Sequence, residues 1–231
     1  MNASPLVPYR RALPGALVVV STEPAHAGAL EALQRLVFPT LADSQRFKAA
    51  HYHRHLELFP EGQFVVLDRG RVVAATSTVR RDFDFGAPQH TFDDVIQGGW
   101  LTSHQPTGGW LYGADVSVHP DFRRRGIARA LYAARQELVW RLGLQGQVSA
   151  GMLRGYGRVK GRMDVRAYFD GVREGRIIDP TLTVQQRIGF ELRALLPDHV
   201  VDPVCDNHAA LIVLDASRDI HGAIRPPREP R

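Results

Sequence analysis

The chain has 231 residues, 44% of them hydrophobic and 23% charged, with one cysteine; this is an ordinary globular composition with ample material for a core. Cys205 alone excludes an intrachain disulfide and a multi-cysteine zinc site. Apolar runs such as Ala16–Val20 and Leu211–Leu214 fall far short of the roughly 20 residues that cross a bilayer, and no basic region followed by an apolar segment opens the chain, so a soluble, cytoplasmic protein with no membrane partner is expected. The balance of 29 Lys+Arg against 24 Asp+Glu gives a net charge of +5, which admits a nucleotide cofactor or nucleic acid without choosing between them. Nearly all of the positive charge is arginine, whose planar fork suits phosphate; lysine occurs only at Lys48 and Lys160.

In chain order, residues 1–14 form a proline-containing N-terminal extension, expected to be loosely ordered. Ala16–Ser21 is a β-branched strand, and Thr22-Glu23-Pro24 starts a helix running to about Val37 with Ala29, Leu30, Leu33 and Val37 as its apolar face. Ser44 is placed as the cap of a second helix ending before Pro60. Gln63–Leu67 and Arg71–Arg80, joined through Asp68-Arg69-Gly70, read as a hairpin. After an irregular stretch at 81–109, with a short helix at Thr91–Gln97, a strand resumes at Trp110–Val118.

Gly126–Leu142 places Ile127, Leu131, Ala134, Leu138 and Leu142 at helical spacing, and Gln147–Leu153 follows as a strand. Helices are expected at Met163–Arg173 and Thr181–Ile188, and strands at Leu192–Leu196 and Ala209–Leu214, before a loosely ordered Pro/Arg-rich tail at 216–231. With no internal repeat and no linker, residues 15–215 read as one mixed α/β (α+β) domain, a mixed sheet with helices on both faces.

The informative segment is Arg123-Arg124-Arg125-Gly126-Ile127-Ala128, between a strand ending at Val118-His119-Pro120 and an amphipathic helix. A helix start leaves its first N–H groups without partners and carries partial positive charge, Gly126 lets the backbone approach a ligand, and the arginines add donors for phosphate. Alone, an Arg-x-x-Gly-x-Ala run is a commonplace basic turn. With the strand Leu111–Val118 before it and Ile188-Gly189-Phe190 some sixty residues later, it resembles the GNAT superfamily of acyl-CoA-dependent N-acyltransferases. Phe59-Pro60-Glu61-Gly62-Gln63, Thr102-Ser103-His104, Leu111-Tyr112-Gly113, Asp179-Pro180 and Gln185–Phe190 extend the likeness to the GNAT domain associated with bacterial carbon–nitrogen hydrolases. The Cys-centred domain of such a hydrolase finds no room in these residues.

The resemblance implies a GNAT-like sheet splayed between its fourth and fifth strands, with acetyl-CoA as co-substrate lying in the opening between 110–118 and 147–153. It assigns cofactor binding to Val116, Ser117 and Val118 on the strand and to Arg123, Arg124, Arg125, Gly126, Ile127, Ala128 and Arg129 on the loop and helix start. It implies direct attack by a primary amine of a small molecule or protein after loss of a proton to a base. Asp115 is the strand's only acid, although simple alternation sets it opposite Val116 and Val118 unless a bulge intervenes; Tyr112, which shares the parity of Val116, is the second catalytic candidate. The family's tyrosine acid, four residues before the glycine of Gly-Phe, is replaced by Gln185, so Tyr156, Tyr168 or water is expected to supply that proton, unless the chain is a non-catalytic acyl-CoA-binding module.

Four further features lie outside this pattern. His51 and His55 share a helix face at zinc-ligand spacing, but without a third ligand no metal is expected, and the helix reads as partly exposed and substrate-side. His104 reads as a loop cap that could touch substrate. Arg154, Arg158, Lys160 and Arg162 around Tyr156 could meet nucleic acid, the ribose phosphate of CoA or an acidic substrate, and +5 is modest for a nucleic-acid binder. Cys205 lies in a turn without a motif and reads as a bystander. Homodimerisation is left open.

Overall fold

The structure, a computed structural model, describes residues 8–225. Eight strands form one sheet in the order β1-β2-β3-β4-β5-β6-β8-β7: β1 Arg10–Ala12, β2 Leu17–Ser21, β3 Phe64–Asp68, β4 Arg71–Arg81, β5 Trp110–Val118, β6 Gly146–Met152, β7 Glu191–Leu196 and β8 Ala209–Asp215. Neighbours are antiparallel except β5 and β6, which run parallel because α4 (Ile127–Arg141) carries the chain back between them. The other helices are α1 Ala27–Val37, α2 Ala49–Leu58, α3 Phe92–Ile96, α5 Val165–Arg173 and α6 Leu182–Ile188.

Helices cover both faces, as the apolar spacing in the sequence requires. On one face Ile127, Leu131, Ala134 and Leu138 of α4 pack on Leu17, Val19, Phe64, Val66 and Leu111. On the other, Leu30, Leu33 and Val37 of α1 pack on Val20, Val65, Ala75 and Tyr112. A third cluster joins Phe169 and Val172 of α5 and Leu182 and Ile188 of α6 to Ile212 and Leu214 of β8.

Two expectations change. The flanks are ordered where they are described: β1 pairs with β2 through Arg10↔Val20 and Ala12↔Val18, and beyond β8 Ile220 is buried while the Arg225 guanidinium lies 4.4 Å from the centroid of the Trp140 ring. The remainder of those flanks, 1–7 and 226–231, lies outside the described residues. Ser44 is not a helix cap; it sits in a single 3-10 turn, Asp43–Gln45, and α2 begins only after Lys48, whose N–H donates to His51 Nδ1 at 3.1 Å.

One irregularity decides the geometry of the site. β4 and β5 pair Ser77 with Asp115 but Thr78 with Gly113, so Ala114 is an extra residue in β5, a bulge that reverses the alternation of side chains beyond it. Arg135 of α4, 1% exposed, reaches across the bulge and donates to Thr76 Oγ1 and to the Asp115 carbonyl. Gly113 makes room for it, since a Cβ there would collide with the guanidinium. Arg135→Met should lower stability by about 2 kcal/mol, because it removes two hydrogen bonds across the bulge while the Thr76 hydroxyl still donates to the Asp115 carbonyl at 2.6 Å; urea unfolding with an unchanged m-value checks it.

Candidate active site

Where β5 and β6 run side by side they pair only at Leu111↔Gln147, Tyr112↔Val148 and Gly113↔Ser149, and the Ser149 hydroxyl donates to the Gly113 carbonyl at 2.5 Å. Beyond this apex Asp115–Val118 keep their ladder to β4, and Ala114–Val118 have none to β6. The strands part over a cavity of about 850 Å³. Its walls come from β5 (Ala114, Asp115, Val116, Val118), β6 (Ser149–Met152), the start of α4 (Arg123, Arg124, Ile127, Ala128) and Tyr132 one turn on, α6 (Val184, Gln185), the loop after β6 (Arg154, Arg158), and the α1 side of the sheet.

The loop before α4 has the shape the sequence suggested. Arg124 and Gly126 both have left-handed backbone, φ 62° and 77°, and the first helical bond is Ala130 N–H to Gly126 O, which leaves the N–H groups of Ile127, Ala128 and Arg129 unpaired. Gly126 is required by its φ, since nothing lies within 4 Å of a Cβ built there. Arg123, Arg124, Ile127, Ala128, Val116 and Val118 line the cavity; Arg125, Gly126 and Arg129 do not. Arg125 turns back over the Phe122 ring at 4.9 Å.

The bulge sorts the strand candidates. Asp115 borders the cavity and faces α1, where Gln34 Nε2 donates to Oδ2 at 2.5 Å, Ser117 Oγ to the same oxygen at 2.9 Å and Ser77 N–H to Oδ1 at 2.7 Å. Burial raises its carboxyl above the ordinary value, against the opposing effects of the Ser77 and Ser117 hydrogen bonds, the Arg135 charge and Gln34. Ser117 is therefore a support of Asp115 and its buried side chain does not border the cavity.

Tyr112 does not share a face with Val116. Before the bulge it points to the α1 side, with the α1 cluster, while Val116 packs with the α4 and α6 clusters. It is 1% exposed, does not line the cavity, and spends its proton on His90 Nε2 at 2.7 Å. Burial pushes its hydroxyl further from ionisation.

Neither Tyr156 nor Tyr168 reaches the cavity, and the Tyr168 hydroxyl donates to Asp179 at 3.0 Å. The phenol that does is Tyr132, on α4. Gln185 Nε2 donates to its oxygen at 2.9 Å, the Tyr132 proton has no acceptor among the described residues, and Gln185 Oε1 is buried without a partner. Sequence reasoning passed over Tyr132 because an aromatic inside an apolar helical stripe reads as core. Buried Asp179 holds α6 in place, accepting from Thr181 N–H at 2.7 Å, Leu182 N–H at 2.9 Å and Gly155 N–H at 2.8 Å.

The rival features resolve as scaffold or rim. His51 and His55 are buried, not exposed, and α2 does not line the cavity; His55 Nε2 donates to Gly99 O at 2.7 Å. His104 accepts from Arg80 N–H at 3.1 Å and stacks on Phe59. Lys160 pairs with Asp206 at 2.8 Å, whereas Arg154 and Arg158 border the cavity. The Cys205 thiol is buried and pushed up to about 12 by burial, which makes it inert. No cluster of three metal-ligating side chains occurs among the described residues, and no helix among them is long and apolar enough to cross a membrane.

Residues 29–150, more than half of the chain and the whole stretch from α1 to the splayed strands, match the acetyltransferase (GNAT) family. The chain belongs to that family. It is 35% identical over 170 residues to "Probable hydrolase YhcX" of Bacillus subtilis, covering 74% of this chain and 33% of that one, so the chain spans a third of that relative's length. It is 28% identical over 158 residues to "Uncharacterized N-acetyltransferase YkwB" of the same organism, 68% of this chain and 70% of that one. Among solved structures, the GphF GNAT-like decarboxylase in complex with isobutyryl-CoA has the same fold, with TM-score 0.69 and 20% identity over 86% of this chain and 98% of that one. The splay expected between the fourth and fifth strands is the β5–β6 parting, renumbered because β1 adds an edge strand.

The raised Asp115 sets a pH test that needs no substrate. The folded protein keeps this proton above the ordinary 3.8 at which the unfolded chain releases it, so between those two values the native state binds more protons and stability falls as pH rises. The stability difference between wild type and Asp115→Asn should shift against wild type on rising through that window; a pH-independent difference would contradict it.

Proposed function

We propose that this GNAT-family chain is an acyl-CoA-dependent N-acyltransferase, moving an acyl group, acetyl the expected one, to a primary amine by direct attack in a ternary complex. The observation that carries this reading is the parting of β5 from β6 over one cavity that joins a helix start rich in unpaired N–H groups to a half-buried carboxylate. The family assignment, the relative named as an N-acetyltransferase and the isobutyryl-CoA held by a structure of the same fold support it.

In this reading the pyrophosphate sits on the N–H groups at 124–129, with Arg123 and Arg124 as added donors. The pantetheine arm lies along the freed edge of β5 at Val116 and Val118, and a freed N–H of that edge stabilises the oxyanion that develops on the thioester carbonyl. Asp115 takes the proton of the attacking amine, directly or through a water. As the C–N bond forms and the C–S bond breaks, Tyr132 gives its proton to the departing sulfur while Gln185 holds its oxygen. Tyr132 thus fills from α4 the role that Gln185 cannot.

A second reading, a non-catalytic acyl-CoA-binding module within a larger hydrolase assembly, is favoured by Gln185 and by the relative named as a hydrolase. One experiment separates the two: calorimetric CoA binding together with thiol release from acetyl-CoA over a panel of amines. Micromolar CoA binding and amine-dependent thiol release are expected, with turnover falling about 10²-fold or more in Asp115→Asn and in Tyr132→Phe while CoA affinity is retained. CoA binding without turnover favours the module; no CoA binding sinks both.

A further inference from the structure

The cavity has two unlike halves. All four of its arginines, Arg123, Arg124, Arg154 and Arg158, stand at the start of α4 or on the loop after β6. The half on the α1 side, which Asp115 faces, is walled by Val37, Phe38, Leu41, Phe47, Phe92 and Val200, and Asp115 is its only charged side chain. Its remaining polar groups are few. Gln34 is bound to Asp115 and Ser117, and Gln45 Oε1 accepts from Val201 N–H at 2.8 Å.

The third is His199, which is 3% exposed and borders this half. Its Nδ1 lies 2.8 Å from the His90 carbonyl. A carbonyl can only accept, so the proton is on Nδ1 and Nε2 carries the lone pair. His90 is fixed in turn, since its Nδ1 donates to Pro88 O at 2.8 Å and its Nε2 receives the Tyr112 proton. Nε2 of His199 has no partner among the described residues and is not one of the polar atoms sealed from solvent, so it opens into the cavity. Burial holds the ring down to about 3, hence neutral.

We propose that this half is the acceptor compartment and that it takes a primary amine carried on an uncharged apolar skeleton, aromatic or branched aliphatic, with a hydrogen-bond donor that meets His199 Nε2. The inference rests on the N-acyltransferase reading. A second cationic centre would be buried among apolar side chains with no carboxylate beyond Asp115, and a carboxylate on the acceptor would find no arginine there; both carry a desolvation cost that an apolar body avoids.

The test compares kcat/KM for phenethylamine, tyramine and isopentylamine with that for spermidine, cadaverine and glutamate, using acetyl-CoA as donor. The apolar amines should lead by about tenfold or more. His199→Asn can keep a donor toward the His90 carbonyl but lacks the Nε2 lone pair; it should raise the KM for tyramine about tenfold, with the KM for phenethylamine, kcat and CoA affinity little changed, the pattern of one lost contact rather than lost folding. Gln45→Glu keeps the acceptor for Val201 N–H and adds a charge, so it should shift selectivity toward cadaverine about tenfold. Preference of the wild type for spermidine or glutamate overturns the proposal while leaving acyl transfer intact. A tenfold tighter binding of hexanoyl-CoA than of acetyl-CoA that Leu41→Gln abolishes also overturns it, since the apolar half then holds the acyl chain. Absence of CoA binding removes the underlying reading instead.

Discussion

The site depends on one constraint: β5 must leave β6 while remaining bonded to β4. An ordinary strand that loses a neighbour exposes a row of unpaired backbone groups and gains nothing in return. Here the loss is confined to Ala114–Val118, and the extra residue at Ala114 turns the strand just past the apex. Arg135 holds that bend from the α4 side through the Asp115 carbonyl, and Gln34, Ser77 and Ser117 hold the Asp115 carboxylate on the opposite side. The same residue is thus fixed by its main chain from one face and by its side chain from the other. A half-buried carboxylate with three donors is costly to place but precise once placed.

The two halves of the cavity divide the chemistry by charge. Unpaired helix N–H groups and arginines gather at the end suited to phosphates, and an apolar enclosure with one carboxylate and one neutral imidazole lies on the other side of the sheet. A cofactor and an acceptor that entered from opposite faces would meet at the parting of the strands without competing for the same groups. Buried Asp179 secures α6, and with it the partnership of Gln185 and Tyr132, through short-range bonds to backbone N–H groups.

Much of this was legible from the residues. The β3–β4 hairpin follows from Asp68-Arg69-Gly70 between β-branched runs, and α4 from its apolar spacing behind Gly126; both are local patterns, and both recur in the structure. The unpaired helix start behind Gly126 could be anticipated because helix termini have fixed requirements. What escaped was non-local. Alternation placed Tyr112 with Val116, and only the register against β4 reveals the bulge that parts them. Tyr132 looks like one more core residue until Gln185, 53 positions away, is found against its hydroxyl. His199 lies in an unremarkable turn, and His90, which orients it, is 109 residues distant. The edge strand β1 was read as a loose end because three residues gain strand character only from a partner.

The small hydrogen bond at the apex has a metric consequence. The pairing of β5 with β6 ends where Ser149 Oγ donates to the Gly113 carbonyl, so the open edge of β5 has a set reach: five residues at about 3.3 Å each, or about 16 Å. That span runs from the bulge to Val118, where the loop into α4 begins. In the acyl-CoA reading the opening would work as a gauge: a flexible thioester anchored by its charged end would bring its reactive carbon to the acceptor only with an arm that matches this length.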